Sequence, residues 1–301
     1  MQNLPGAPSR GRRAPFGLGT VGAAAAALLL AAPALSGQAP PELGERANDP
    51  RVGLAPGLTD AGTAVLNMEL LAHRTRPEGF FNPENPGDGN FSNTDLAFQG
   101  NYAFVGNYNG FQVWDITNPA DPSLRVSVIC PGGQGDVSVY RNLLFMSVEA
   151  NNGRIDCGTE GAPGQVNPER FRGVRIFDIS DLDNPVQVAA VQTCRGSHTH
   201  SLLADPNDQD HVYVYVSGAA GVRPAEELEG CVRDVPEDDP DATALFRIEV
   251  IRVPLASPQD AYVASQPRVF ADRQTGDIAG LWPGGDHGEG TQRSAMTNHC
   301  H

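Results

Sequence analysis

The stretches GFQVWDITNPADPSLRVSVIC (residues 110–130) and GVRIFDISDLDNPVQVAAVQTC (residues 173–194) are two copies of one repeat. Each begins with glycine, reaches an aromatic-Asp-Ile sequence at the end of an apolar run, and passes a proline before a second apolar run that ends in cysteine. A weaker third copy, IEVIRVPLASPQDAYVASQPRVF, covers residues 248–270 and has Pro254 in place of the aspartate. Such repetition indicates a structure assembled from similar supersecondary units.

Each copy follows another pair of apolar runs in which apolar and polar residues alternate. These pairs start at Asp95 (DLAFQGNYAFVGNYN), at Asp136 (DVSVYRNLLFMSVE) and at His200 (HSLLADPNDQDHVYVYVSG). Alternation bounded by Gly, Asn, Asp or Pro predicts short antiparallel strands. Four strands per unit are the blade of a β-propeller. The predicted fold class is therefore all-β, a β-propeller with four-stranded antiparallel blades, of which three blades and the start of a fourth are present.

Asp115 and Asp178, in the two strong copies, could be mistaken for catalytic acids. Each comes at the end of a predicted strand and before a turn that contains proline. Aspartate in that position commonly accepts hydrogen bonds from backbone N–H groups of the turn. We therefore expect both carboxylates to have a structural role.

The (V/I)(W/F)DI(T/S) segments, together with inner strands of the D-(V/L)-x-(V/F) type, resemble the LVIVD-repeat β-propeller proteins, a group of exported bacterial proteins. The resemblance covers roughly residues 94–301 and rests on two strong copies and one weak copy. It implies a propeller fold and an extracytoplasmic location. It assigns no catalytic residues, because the family as such has no settled activity.

Residues 1–39 have the pattern of a signal peptide. Arginines between residues 10 and 13 precede the apolar stretch GLGTVGAAAAALLLAAPAL, and cleavage could follow Ser36 or Ala39. The alternative is an uncleaved membrane anchor, since the stretch is nearly long enough to span a bilayer. The sequence leaves open whether export uses the general or the twin-arginine route. We expect a secreted, periplasmic or cell-surface protein with no membrane span once the signal is removed.

The remainder divides into an N-terminal extension, residues 40–93, and a partial propeller, residues 94–301. Within the extension, AVLNMELLAH at residues 64–73 resembles a strand. Propellers close with four to eight blades. We therefore expect that the natural protein continues beyond His301, that this chain is truncated at its C-terminus, and that the strand at 64–73 completes the last blade and closes the ring.

Long insertions and five cysteines accompany the later blades. The insertions lie at about residues 150–172, 219–243 and 272–297. In an exported protein the cysteines favour disulfides, and Cys130–Cys157 and Cys194–Cys231 would each close a local loop. The sequence does not fix this connectivity. With it, Cys300 has no partner in the chain.

The starts of the inner strands form four equivalent positions. They read Asn93-Thr94-Asp95, Gln134-Gly135-Asp136, His198-Thr199-His200 and His299-Cys300-His301. Inner strands surround the propeller axis, and alternate residues of a strand share a face. The first residues of the four positions should thus form one polar layer at the channel mouth, and the third residues a second layer.

Imidazole and carboxylate groups that converge on an axis could hold a divalent transition metal such as Zn, Cu, Mn or Fe. The predicted ligands are Asp95, Asp136, His198, His200, His299 and His301. The alternative is a wet polar rim without metal, since His-x-His is a weak motif. The glycine-rich GGDHGEG at residues 284–290 fits an insertion, and the acidic clusters at 205–210 and 236–241 lack the spacing of a calcium loop and fit solvated turns.

The formal net charge of −15 argues against nucleic acid or an anionic membrane as partner, because phosphates would be repelled. The sequence has no nucleophile elbow, Walker loop or dinucleotide fingerprint. Two functions remain. One is an exported scaffold that binds a protein or small-molecule ligand through its long insertions. The other is a metal-dependent propeller enzyme, an oxidoreductase or hydrolase, with chemistry at the channel mouth.

Overall fold

The computed structural model of the protein describes residues 49–233, 239, 242–269 and 274. In this part of the chain, three four-stranded antiparallel sheets confirm the predicted blades. Blade 1 comprises β1 (Asn93–Gln99), β2 (Tyr102–Asn107), β3 (Gly110–Asp115) and β4 (Ser123–Ile129). Blade 2 comprises β5 (Val137–Tyr140), β6 (Leu143–Val148), β7 (Gly173–Asp178) and β8 (Val186–Gln192). Blade 3 comprises β9 (Thr199–Leu203), β10 (His211–Ser217), β11 (Ile248–Pro254) and β12 (Tyr262–Ser265).

Each blade is a meander in which every strand pairs with the next one along the chain. Short 3₁₀ helices at Gly89–Phe91 and Pro258–Asp260 lie outside the sheets. Residues 49–64 belong to a separate unit without regular strands, in which Gly62 N donates to Ala55 O at 2.8 Å. No helix among the residues described is long and apolar enough to cross a membrane.

Two equivalent glycines explain why the repeat begins as it does. Gly110 and Gly173 open β3 and β7 with φ angles of 139° and 149°. A Cβ at either position would lie 2.0 Å from a carbonyl oxygen of the neighbouring strand, that of Val128 or of Val191. Only glycine allows this conformation and this close approach.

Blade 2 is buried on both faces. All six residues of β6, LLFMSV, are buried, and they alternate between two cores. Leu144 and Met146 pack in a cluster with blade 1, whereas Leu143 and Phe145 pack in a cluster with blade 3. A strand covered on both faces has a continuous apolar sequence, which is what the repeat shows at this point.

Each outer blade packs on blade 2 and leaves apolar side chains of its outward face exposed. In β1, Ala97 packs toward blade 2, while Leu96 and Phe98 on the opposite face are 55% and 62% exposed. In blade 3 the alternate valines of β10 are buried, and Tyr215 between them is 36% exposed. Both outward faces thus present large apolar side chains to solvent.

The strand predicted over residues 64–73 is not formed. No strand pairs with this segment among the described residues, and Asn67 has a φ of 58° that interrupts any extended run. Leu66, Met68 and Leu70 are 82%, 76% and 68% exposed. The apolar pattern was a valid strand signal, but a strand is held by hydrogen bonds to a neighbour and this segment has none here. Its role in closing a ring stays a prediction.

Candidate functional site

The third residues of the strand starts come together in the structure. The backbone N of His200 donates to Asp136 Oδ2 at 2.8 Å, and the backbone N of Val137 donates to Asp95 Oδ2 at 3.4 Å. Each aspartate therefore links its blade to the first strand of the next blade. The carboxyl group of Asp95 also lies beside that of Asp136 and interacts with it. We call Asp95, Asp136, Ser147 and His200 the strand-start cluster.

Asp136 is the titratable group of this cluster whose pKa is raised. The pKa of Asp136 is raised to about 7, chiefly by burial and next by the neighbouring Asp95, while the hydrogen bond from the backbone N–H of His200 lowers it by less. Two neighbouring carboxylates repel each other, which favours the protonated form of one of them. Asp136 thus carries a proton below neutral pH.

His200 is the most enclosed member of the strand-start cluster. Its side chain is 0% exposed, and burial lowers its pKa to about 4. Nδ1 lies 2.9 Å from Ser147 Oγ, which in turn lies 2.8 Å from Ser197 Oγ. The 3.3 Å approach of Nδ1 to Asp136 is consequently not an ion pair near neutral pH, because the imidazole is uncharged. Nε2 is buried and has no hydrogen-bond partner among the described residues.

The first residues of the described strand starts each have a partner close by, and the shared layer predicted for them stays a prediction because His299 lies outside the described residues. Asn93 Oδ1 accepts a hydrogen bond from Asn107 at 2.9 Å. Gln134 Oε1 lies 3.5 Å from the Tyr108 hydroxyl, and His198 Nδ1 lies 2.9 Å from Glu149 Oε2. Each of the three thus interacts with a residue at the end of a strand or just after it.

Within the described part of the chain, no three His, Cys, Asp or Glu side chains are grouped so that they could hold a metal ion. Of the six predicted ligands, Asp95, Asp136 and His200 lie together, and His198 pairs with Glu149 instead. His299 and His301 lie outside the described residues, as do GGDHGEG at 284–290 and Cys300. The metal site stays a prediction.

Both predicted disulfides are present in the structure, Cys130–Cys157 and Cys194–Cys231. The predicted role of the repeat aspartates is confirmed as well. Asp115 Oδ1 accepts from Thr117 N, and Asp178 Oδ1 accepts from Ser180 N, both at 2.8 Å.

The two long insertions pack against each other. We call them the insertion layer: residues 149–172, between β6 and β7, and the described residues between β10 and β11, 218–233, 239 and 242–247. Glu227, with a side chain 0% exposed, joins the two. Its Oε1 pairs with Arg170 of the first insertion, and its Oε2 pairs with Arg223 of the second at 3.1 Å.

Arg170 is anchored by backbone carbonyls in addition to this ion pair. Its guanidinium donates to the oxygens of Asn151, Gln165, Ala162 and Gly164. Arg223 donates to the oxygen of Arg170 at 3.0 Å and to Gln192. The insertion layer is therefore an ordered structure with its own polar core.

A cavity of about 590 Å³ lies in the insertion layer and is lined by both insertions. Arg172, 4% exposed, lines it and donates through Nη1 to the Gly221 oxygen at 3.0 Å. Burial, together with the charge of Arg223, lowers the pKa of Arg172 to about 10, so the group remains charged at neutral pH. The volume is within the range of small-molecule sites.

Sequence reasoning predicted the insertions but missed this arginine cluster. Arg170 and Arg172 are neighbours in the sequence, whereas Arg223 and Glu227 come from the next blade's insertion. The one available signal was the Arg-x-Arg pair in an otherwise acidic chain, and arginine pairs are common on surfaces.

Three sheets of four antiparallel strands in repeat order define a propeller-type protein. The LVIVD repeat family model matches residues 92–129, which contain the whole of blade 1. The chain thus carries an LVIVD repeat, as its residues predicted.

Among solved structures, two similar chains are a computationally designed protein, Ika4, and YjhT. The Ika4 structure has 15% identity and a TM-score of 0.25, and the match covers 59% of this chain and 91% of that chain. YjhT has 11% identity and a TM-score of 0.33, with 61% and 52% covered. At these TM-scores neither similarity carries an argument. A comparison with curated proteins gave no match.

Proposed function

We propose that this protein is an exported β-propeller that serves as a binding scaffold, with its ligand held by the insertion layer. The observation that carries the proposal is the Glu227 bridge, which fixes two insertions from different blades around a cavity of about 590 Å³. Burying the charged groups of this bridge costs desolvation energy, so the bridge is weak evidence for stability alone. Its effect is to hold the two insertions in place around the cavity. Rigid loops on a propeller scaffold are also the usual place for recognition.

Export is supported by the disulfides and the N-terminal pattern. Disulfides persist in oxidising compartments outside the cytoplasm, and one of them, Cys194–Cys231, anchors the second insertion. Expression in a bacterial host followed by N-terminal sequencing of the exported protein tests this part. We expect a new N-terminus after Ser36 or Ala39, and retention of Met1 on membrane-bound protein would contradict it.

The binding function is tested by a thermal-shift screen of the full chain against small anionic, neutral and cationic molecules. A ligand that binds the native state raises the melting temperature by mass action. Ala220 lines the cavity, so Ala220→Phe should fill it and remove the rise. Ligands that raise the melting temperature of both proteins equally, or no ligand at all, would contradict a binding role for this layer.

A metal-dependent enzyme is the second proposal, and one observation favours it. A neutral imidazole is the form that binds metal, and His200 is neutral with a buried Nε2 that has no described partner. Elemental analysis of the undenatured full chain for Zn, Cu, Mn and Fe tests the proposal. Stoichiometric metal that is lost in His200→Gln supports it, and metal-free protein or an unchanged content in that variant contradicts it.

A further inference from the structure

The lining of the cavity in the insertion layer has an apolar part and a charged part. Ala220, Val222 and Pro224 contribute aliphatic surface, while Glu149, Arg170 and Arg172 contribute charge. Pockets of this composition hold small organic molecules, whose apolar part fills the space and whose polar group is fixed by a few side chains. Which polar group fits depends on which of the charges is left without a counterion.

Of the arginine cluster formed by Arg170, Arg172 and Arg223, two members are neutralised by the same carboxylate. Glu227 pairs with Arg170 and with Arg223, and the carbonyl oxygens around Arg170 take up its remaining donors. Glu149, a carboxylate that lines the cavity, pairs with His198 Nδ1 at 2.9 Å. Among the described residues no carboxylate lies within ion-pair distance of Arg172, and Nε of Arg172 has no hydrogen-bond partner.

A buried arginine can be purely structural, and Arg175 shows what that looks like in this protein. Its terminal nitrogens donate to Gln187 at 3.0 Å and to the Arg154 oxygen at 2.7 Å, and its guanidinium lies 4.7 Å from the Phe171 ring centroid. Its Nε is also without a partner, but the rest of the group is satisfied by protein. Arg172 instead faces a cavity, with Gly221 O as its acceptor.

We infer that the cavity binds a small organic molecule through one carboxylate, which pairs with the guanidinium of Arg172. A guanidinium presents Nε–H and a terminal N–H side by side, in the geometry of a two-oxygen anion. The apolar part of the ligand contacts Ala220, Val222 and Pro224. A single negative charge matches Arg172, which of the two arginines that line the described cavity is the one without a carboxylate partner, and the net charge of −15 disfavours larger polyanions. This inference names the ligand class of the binding layer proposed above and rests on that proposal.

The experiment is isothermal titration calorimetry of the full chain with benzoate, benzamide and inorganic phosphate. Benzamide has the shape of benzoate without its charge. We expect benzoate to bind with one site per chain and benzamide to bind at least tenfold more weakly. Arg172→Gln should weaken benzoate binding at least tenfold, and Arg172→Lys, which keeps the charge but loses the fork, should fall between. Arg125→Gln removes an exposed arginine paired with Asp183 outside this layer and should leave binding within twofold.

The outcomes separate the ligand class from the binding function. The inference is overturned if benzoate does not bind, if it binds Arg172→Gln as well as the native protein, or if phosphate binds and carboxylates do not. If only neutral or cationic molecules bind, and Ala220→Phe blocks their binding, the proposed binding function is supported and the proposed carboxylate ligand is refuted. The near-ultraviolet circular dichroism spectrum shows whether Arg172→Gln has the native fold. If it does not, the titration of Arg172→Lys is the deciding experiment. Benzoate binding to Arg172→Lys that is as strong as binding to the native protein refutes the role of the guanidinium fork.

Discussion

At the scale of single residues, the strand-start cluster shows how one position serves two purposes. Asp136 accepts a hydrogen bond from the backbone N–H of His200, and burial beside Asp95 raises its pKa to about 7. The hydrogen bond connects Asp136 to the first strand of the next blade. The raised pKa means that this half-buried carboxyl group is protonated below neutral pH. Carboxyl groups with a raised pKa are found at functional sites, and they are found in structural networks as well.

Asp136→Asn tests whether Asp136 is protonated in the folded protein below neutral pH. Between pH of about 4 and about 7 the native protein keeps a proton on Asp136 that the unfolded chain has released, so this group makes stability fall as pH rises. His200 has the opposite effect on stability. Its pKa of about 4 in the folded protein is below the unfolded value, so its contribution makes stability rise with pH between about 4 and 6.5. Asparagine can donate to Asp95 and accept from His200 N without titrating. The variant should therefore gain stability over the native protein as pH rises from 4 to 7.

The measurement is urea unfolding of both proteins at one-unit pH steps, in buffers with EDTA. Asp115→Asn is the matched control, because hydrogen bonds from Thr117 lower the pKa of Asp115 and its titration lies below this window. Its stability difference from the native protein should be constant between pH 5 and pH 7. A constant difference for Asp136→Asn as well would show that Asp136 does not hold the proton.

At the scale of elements, the two insertions are connected to each other and form an ordered layer instead of two independent loops. Two chain segments that are separate in sequence share one buried carboxylate, Glu227, and each contributes an arginine to it. The Cys194–Cys231 disulfide, 37 residues apart in the chain, holds the second segment near the end of β8. These connections keep the cavity residues in fixed positions without any regular secondary structure.

Glu227→Gln tests the bridge between the insertions. Glutamine has the same shape but leaves the two buried guanidinium groups of Arg170 and Arg223 without a counterion, and breaking a buried pair in this way costs about 3–5 kcal/mol. We expect the free energy of unfolding, measured in urea, to fall by about that amount. Glu226→Gln, an exposed neighbour, should change it by less than about 0.5 kcal/mol. Equal effects of the two substitutions would contradict a bridging role for Glu227.

The elements that sequence reasoning predicted well are those set by local patterns. Alternating apolar residues, the Asp-Ile turn and the opening glycine are each properties of a few adjacent residues, so the three blades and the aspartate turns follow from the sequence. The segment 64–73 has the same alternation and forms no strand, since pairing needs a neighbour that the pattern cannot supply. The arginine cluster was missed for a related reason. Arg172 and Glu227 meet only after two blades have folded.

The candidate site was predicted in part. The repeat alignment put Asp95, Asp136 and His200 at equivalent positions, and the structure brings them together. The alignment could not show the partners of Asn93, Gln134 and His198, which are Asn107 at the end of β2, Tyr108 just after β2 and Glu149 just after β6.

At the scale of the whole molecule, the three blades differ in how much they are covered. The middle blade packs on both faces, with β6 buried along its entire length, while each outer blade packs against one neighbouring blade. Local opening free energies follow the density of buried contacts around a segment. The stability of the molecule should thus be distributed unevenly, with its maximum in the middle blade.

Native-state hydrogen exchange measures that distribution. The amides of β6 and β7 are paired on both sides and covered on both faces, so exchange there should require the largest opening and be slowest. The central strands of the outer blades, β2 and β3 in blade 1 and β10 and β11 in blade 3, have the same pairing but pack against one neighbouring blade instead of two, and they should exchange faster. This comparison holds hydrogen bonding constant and varies face packing alone. Exchange of β2 and β3 as slow as that of β6 and β7 would mean that coverage of the outward face does not limit opening, and that the blades unfold as one cooperative unit.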